Sequence, residues 1–219
     1  KPKFWDTKKS FLSIILFPIS LVVSFAIFIK KNLTKKLEFK IPIICVGNIY
    51  LGGTGKTPTS VFIAKELELK GKNPVIVRKH YRNHIDEYKL ITNNFKQPIV
   101  KKNRSQGINE AINKNYDLVV LDDGFQDYQI HKNLSILCFN SYQLVGNSFV
   151  FPSGPLRENL SSIKNAQIII INGNINEEFE KKLYNIKKDI KIFYSEYSAL
   201  NLDEFRNKKL FAVAGIGNP

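Results

Sequence analysis

Cysteine is scarce in this 219-residue chain: Cys45 and Cys138 are the whole complement, each inside an apolar, strand-like run. Two such thiols make a disulfide framework unexpected and are too few for a metal cluster, so they fit a reducing cytosol. Internal repeats and extended low-complexity tracts are also lacking, which leaves a solenoid or a biased linker without support. An apolar fraction of 43% argues against disorder, and the length suits one substantial α/β domain with an appendage. No methionine opens the chain. It begins at Lys1 and stops at Gly215-Ile216-Gly217-Asn218-Pro219, a strand-to-loop signal with nothing after it, as expected of a fragment.

Acidic residues are thin at the start. Residues 1 to 42 hold nine lysines against Asp6 and Glu38, a net +7 within a total of +14. Between Phe11 and Ile29 there is no charge at all, and as a helix this run would be about 28 Å long against a hydrocarbon core of about 30 Å. Lys30, Lys31, Lys35 and Lys36 follow, so the run is expected to associate with a membrane with the rest of the chain on the cytoplasmic face, its lysines meeting anionic membrane lipids. A cleaved signal peptide is disfavoured because the run ends in Phe28-Ile29-Lys30-Lys31 without small residues, and a core helix is seldom this long without a charge. Ser13, Phe17, Ser20 and Ser24 fall near one helical face and Pro18 can kink the helix, which leaves spanning and lying in one leaflet both open. The pI of about 9.6 also suggests nucleic acid, but half the excess charge flanks the apolar run and no basic stripe with interleaved aromatics follows. Nucleic acid is therefore not an expected partner.

Residues Gly52-Gly53-Thr54-Gly55-Lys56-Thr57 follow the apolar run Ile41-Pro42-Ile43-Ile44-Cys45-Val46 and precede the helix-like Pro58-Thr59-Ser60. Glycines let successive backbone N–H groups converge on phosphate oxygens, and the helix N-terminus adds positive potential. Lys56 is suited to reach the outer phosphates and Thr57 to ligate magnesium. The usual phosphate-loop pattern has a further glycine where this chain has Tyr50. A plain turn with Thr57 as helix cap is the competing reading.

Downstream, strand-like runs at 74–77, 98–100, 118–121, 136–139, 168–171 and 210–213 alternate with helical candidates at 58–70, 105–115, 156–164 and 176–187. Several strands are apolar on both faces, so the expected fold is α/β and P-loop NTPase-like, a mostly parallel sheet covered by helices, preceded by a hydrophobic membrane helix. In such sheets ligands sit at the carboxyl ends of strands. The run 118–121 ends in Asp122-Asp123-Gly124-Phe125-Gln126, a Walker-B arrangement whose carboxylates, with Thr57, complete the shell of a triphosphate-bound magnesium; a bare Asp-Gly turn is the alternative. Gly154-Pro155-Leu156-Arg157-Glu158 is expected to place Arg157 and Glu158 at a helix start. There Arg157 holds phosphate bidentately and Glu158 orients it or a substrate hydroxyl, or else Glu158 merely complements the helix dipole.

Together, Lys3-Phe4-Trp5, Val46-Gly47-Asn48-Ile49 running into the phosphate loop and Pro58, Asp122-Asp123-Gly124-Phe125-Gln126, Gly154-Pro155-Leu156-Arg157-Glu158 and Gly215-Ile216-Gly217-Asn218-Pro219 resemble the tetraacyldisaccharide 4'-kinase family. That family's loop also lacks the first glycine. The resemblance implies ATP with Mg2+ as donor and a tetraacylated glucosamine disaccharide 1-phosphate lipid, in lipid A biosynthesis, as acceptor. It implies a hydrophobic helix on the inner membrane over 1–36, a kinase core over 37–208 and, from 209–219 onward, a second smaller domain lying mostly beyond Pro219. A second-domain histidine would then be missing, and His80, His84 and His131 stand in no matching context. Weak ATP–magnesium binding and poor transfer are the expectation for such a piece. The family's base matches Asp86 in Asp86-Glu87, preceded by Ile85 instead of glycine; a solvated loop is the alternative for that pair. The family's Ser-Arg-Gly-Tyr becomes Arg78-Lys79-His80-Tyr81. A membrane-anchored P-loop ATPase or GTPase switch is the runner-up function, although no guanine-specificity motif is present and the Asp122 and Arg157 loops would go unexplained.

Overall fold

In the computed structural model, residues 1–7, 10–81, 85–198 and 206 are described. Seven strands, β1 (Ile43–Gly47), β2 (Pro74–Lys79), β3 (Ile99–Lys101), β4 (Leu118–Asp122), β5 (Leu134–Asn140), β6 (Ile168–Asn172) and β7 (Lys191–Ser195), form one sheet in the order β3-β2-β4-β1-β5-β6-β7. Every pairing is parallel. The helices are α1 (Phe11–Leu33), α2 (Lys56–Leu69), α3 (Ile85–Asn94), α4 (Arg104–Asn113) and α5 (Glu177–Ile186).

The strands are apolar on both faces because both faces are covered. Ile43, Cys45, Val75, Val77, Val119, Leu121, Leu137 and Phe139 pack with Ile108 and Ala111 of α4 and Phe179 and Leu183 of α5. Their neighbours Val46, Ile76, Val120 and Cys138 point the other way, onto Val61 and Ala64 of α2 and Ile91 of α3. The period of two thus sends Cys45 and Cys138 to opposite sides of the sheet, where burial pushes their thiols up to about 11 and about 12. They are inert packing groups. Close helix approach has a visible requirement at Gly107 of α4, where a Cβ would stand 2.6 Å from Val77 Cγ1.

The uncharged N-terminal run is α1, longer than its apolar stretch and continuous through Pro18. It lies along the domain on the expected serine edge. Ser20 Oγ donates to Val150 O at 2.8 Å and accepts Ser153 N–H at 2.9 Å, while Ser13 Oγ accepts from Asn147 Nδ2 at 3.0 Å. Phe17 meets Phe149 edge-on with ring centroids 5.3 Å apart. Trp5 Nε1 donates to Pro152 O at 3.1 Å and fixes the segment ahead of the helix. The outward faces, including Phe11, Ile14, Val22, Phe25 and Phe28, are exposed.

One expectation needs correction, and one alternative falls. The stretch 156–164 is not a helix: only Leu160–Asn165 turns, as a 3-10 helix, and Arg157 and Glu158 stand at no helix start. Its backbone is already spoken for, because Arg157 N–H donates to Ile49 O at 2.7 Å and Leu51 N–H to Pro155 O at 2.8 Å, an antiparallel bridge centred on Tyr50 and Leu156. Conversely, Asp86-Glu87 is not a loop but the first turn of α3, and β7 is a strand beyond those read from the sequence. The expected strand at 210–213, the Gly215–Pro219 loop, His84 and the segment 209–219 lie outside the described residues.

Candidate active site

The site assembles where β1 and β4 end side by side, with Val46 in register with Asp122. From β1 the chain passes through Asn48, Tyr50, Gly52, Gly53 and Thr54 to Gly55, whose φ of 81° turns it into α2. That left-handed geometry favours glycine, and a side chain there would also collide with the Asn172 amide. Two asparagines hold the loop: Asn48 Nδ2 donates to Thr54 Oγ1 at 2.9 Å, and Asn172 Nδ2, from the end of β6, donates to Thr54 O at 2.6 Å. Tyr50 explains the absent glycine. It is fully buried in the core, and its bridge to Leu156 carries Arg157 to the loop.

No side chain caps the N-terminus of α2, and Pro58 in its first turn has no N–H to leave unpaired. The free amides of Lys56 and Thr57 therefore face an anion site with the helix dipole behind them. Asp122 is 1% exposed and accepts from the hydroxyls of Thr57 and Ser60, each at 3.1 Å. Burial, helped by the adjacent Asp123, pushes the Asp122 carboxyl above the usual carboxylate range, with Arg78 and Lys56 opposing. Arg78 Nε lies 3.8 Å from Asp122 Oδ2, and its other arm pairs with Glu87.

Asp123 adopts φ 55°, an uncommon conformation for a residue with a side chain. Arg104, 6% exposed, holds it there by donating to the carbonyls of Asp123 at 2.6 Å and Asp122 at 3.3 Å. The Asp123 carboxylate then gathers two cations: Arg157 Nη1 at 2.8 Å and Lys56 Nζ at 3.7 Å from the same oxygen. Glu158 sits behind, buried, taking Gln126 Nε2 at 2.9 Å, and Gln126 in turn accepts from Arg157 Nη1 at 3.4 Å. Burial, then Glu158's charge and hydrogen bond, push the Tyr128 phenol up. A cleft of about 480 Å³ starts at Asp123, Gln126 and Arg157 and runs to Lys30 and Thr34 at the end of α1.

Lys56, Thr57, Asp122, Asp123 and Arg157 thus come together, with Gly52, Gly53, Thr54 and Gly55 forming the loop above them. Glu158 supports them from behind. Asp86 stands apart, exposed on the first turn of α3 and absent from the cleft wall. Reading the sequence alone assigned no role to Asn48, Arg78, Arg104, Gln126 or Asn172. Asn172 had a usable signal, since it ends an apolar parallel strand.

A parallel sheet with a phosphate loop after its central strand, a hydroxyl–carboxylate pair beside it and two cations on a second carboxylate defines a nucleoside triphosphate-dependent phosphotransferase. The family model described as Tetraacyldisaccharide-1-P 4'-kinase matches residues 12–97 and 85–219. A tetraacyldisaccharide 4'-kinase of Pelagibacter ubique is 39% identical over 226 residues, covering 100% of this chain and 70% of that protein. One from Francisella tularensis subsp. novicida is 32% identical over 252 residues, covering 99% and 78%. The chain belongs to the tetraacyldisaccharide 4'-kinase family. Among solved structures, the Aquifex aeolicus LpxK described in complex with ATP shares the fold at a TM-score of 0.64 and 20% identity, covering 91% of this chain and 85% of that one. The GDP-bound signal recognition particle 54 kDa protein of Aeropyrum pernix K1 shares it at 0.53 and 12% identity, over 82% and 48%.

Proposed function

We propose that Lys56 and the backbone amides of Gly52, Gly53, Thr54, Gly55 and Thr57 hold the triphosphate of ATP, and that Arg157 steadies the phosphoryl group in transfer. The activity follows from family membership: the chain is a kinase that passes the γ-phosphate of ATP to the 4'-hydroxyl of a tetraacylated glucosamine disaccharide 1-phosphate, a step of lipid A biosynthesis. The observation that carries the residue roles is the sharing of one Asp123 oxygen by Lys56 and Arg157. Two cations held by one carboxylate are poised to exchange part of that contact for phosphate oxygens, so the reacting group arrives among charges already in position.

Thr57, Asp122 and Asp123 are hard oxygen donors grouped at the loop, which fits Mg2+, and a bound ion would neutralise charge between the outer phosphates. Burial pushes the Asp122 carboxyl up in spite of Arg78 at 3.8 Å, so a further cation at this group would offset part of its burial. Asp86 is the assigned base for the acceptor hydroxyl, and its place on α3 requires that the acceptor reach past the end of β2. The membrane-anchored switch draws no support from the family match.

For the acceptor, the cleft from Asp123 and Arg157 to the last turn of α1 supports delivery of a lipid headgroup from the membrane surface. α1 presents its apolar outer faces to lipid while its serine edge stays on the domain. Lys30 and Lys31 meet anionic headgroups at the cytoplasmic face of the inner membrane. In this scheme residues 1–36 are the membrane element, 37–208 the kinase core, and 209–219 the start of a smaller domain. Transfer of labelled γ-phosphate from ATP to the disaccharide 1-phosphate lipid in detergent micelles tests the reading. Lys56→Ala is expected to lower transfer by about 10²-fold or more; undiminished transfer removes Lys56 from its role.

A further inference from the structure

The phosphate loop has two flanks in this sheet, and the chemistry described so far uses one. On the β4 side stand Asp122, Asp123 and Arg157, where the outer phosphate must lie. The nucleoside end has to leave on the other flank, where the order β1-β5-β6-β7 brings the carboxyl ends of three further strands. The ends of β6 and β7 are locked together there: Gly173 N–H donates to Ser195 O at 2.7 Å, and the Ser195 hydroxyl bonds Asn172. Asn172 in turn holds Thr54 of the loop, so these two strand ends are rigidly tied to the phosphate site.

Two residues past β7 lies Tyr197. Its hydroxyl reaches the loop, standing 2.8 Å from where a Cβ on Gly55 would be. Burial of that end pushes its phenol pKa up, yet the residue as a whole is 70% exposed. The two facts describe one posture: the hydroxyl end is tucked against Gly55 and the ring stands in solvent beside the loop. An exposed ring standing beside the loop with its hydroxyl end packed near Gly55 is well suited to stacking. Its partner must be planar, apolar on its faces and attached to an anion held by residues 52–57.

We propose that Tyr197 is the nucleobase platform of this site, its ring stacking on the base of the bound nucleoside triphosphate beside the Asn172–Gly173 corner. This rests on the kinase reading above and adds the subsite for the base. Stacking reads a π-face rather than an edge, so Tyr197 supplies affinity for any purine triphosphate and little discrimination between adenine and guanine.

The experiment compares ATP with inorganic tripolyphosphate, which has the phosphates but no base, as competitors of a fluorescent ATP analogue on the full chain. Tyr197→Ala is expected to weaken ATP about tenfold while leaving tripolyphosphate within about twofold; Tyr197→Phe and Tyr197→Trp are expected to stay close to the parent. Tyr142→Ala serves as control, because Tyr142 is exposed after β5 at the same edge of the sheet. Equal weakening of ATP and tripolyphosphate by Tyr197→Ala, or no effect on either, overturns the platform while leaving the kinase reading intact. Failure of Lys56→Ala to weaken either ligand strikes instead at the phosphate site itself.

Discussion

Arg157 and Asp123, separated by 34 positions in sequence, meet at 2.8 Å, and the same Asp123 oxygen lies 3.7 Å from Lys56. Asp123 therefore sets the spacing of the two cations proposed to receive phosphate. Removing Arg157 leaves a carboxylate that pulls Lys56 towards itself and away from the triphosphate. Arg157→Ala is expected to lower kcat by about 10²-fold, and Arg157→Lys to recover only part of it, because a point charge cannot span Asp123 and Gln126 together. The check is steady-state transfer at saturating ATP. A loss confined to KM would show that Arg157 binds ground state and transition state equally.

Asp122 gives a test in which stability and activity move apart. Its folded pKa lies above the unfolded value of 3.8, with burial as the leading cause. Between those two values the folded chain binds more protons than the unfolded one, so the nucleotide-free fold loses stability as pH rises through that window. Asp122→Asn removes this term. Without nucleotide at pH 7 its Tm is expected to rise by about 2 °C or more, while transfer falls by at least about 10²-fold. The Tm difference from the parent should vanish towards pH 4. A Tm below the parent at pH 7 would mean that Arg78 and Lys56 outweigh burial.

Much of this architecture was legible because parallel strands buried on both faces announce themselves as uninterrupted runs. Six of the seven strands were found that way. β7 was missed because, at the sheet edge, Lys191 and Phe193 are exposed and the run is broken by charge. α3 was missed because it fully buries only Ile91, with Leu90 half-covered, and opens on the polar Asp86-Glu87 pair. The wrong helix at 156–164 followed from local composition, whereas the segment's backbone is satisfied by Ile49 and Leu51, more than one hundred positions away. In the site, the residues proposed to touch phosphate carry motif signals. Arg104 and Asn48, which hold backbone in place, sit in recognisable stretches whose sequence reveals no role for them, since their partners are carbonyls and hydroxyls of no fixed sequence.

α1 separates docking from membrane contact. Ser20 bonds two backbone groups inside the domain; Val150 O keeps the Gly154 N–H, but Ser20→Ala leaves the buried Ser153 N–H unpaired, at about 1–3 kcal/mol. That change is expected to lower Tm by about 3 °C or more. Val22 and Phe25 face outward and are exposed, so Val22→Glu with Phe25→Glu is expected to leave Tm within about 1 °C and to abolish flotation with vesicles of anionic phospholipid. Retained flotation of the double variant would assign membrane contact to the lysines instead of the apolar face.

Asp86 and Glu87 are neighbours with opposite expectations. Glu87 is tied to Arg78, which reaches Asp122, so Glu87→Ala removes one of the two carboxylates on a buried guanidinium and is expected to disturb both Tm and magnesium-dependent ATP binding. Asp86 is exposed on the outer side of the same turn, and its loss should leave the unfolding free energy within about 0.5 kcal/mol of the parent. If Asp86 takes the proton from the acceptor hydroxyl, Asp86→Asn will lower kcat by about 10²- to 10⁴-fold with ATP affinity unchanged. The pH profile then decides what kind of loss that is: a base removed flattens the acidic limb of kcat, whereas a displaced helix lowers kcat uniformly. Full activity in Asp86→Asn would return the proton transfer to solvent and leave positioning by Lys56, Asp123 and Arg157 as the main source of rate.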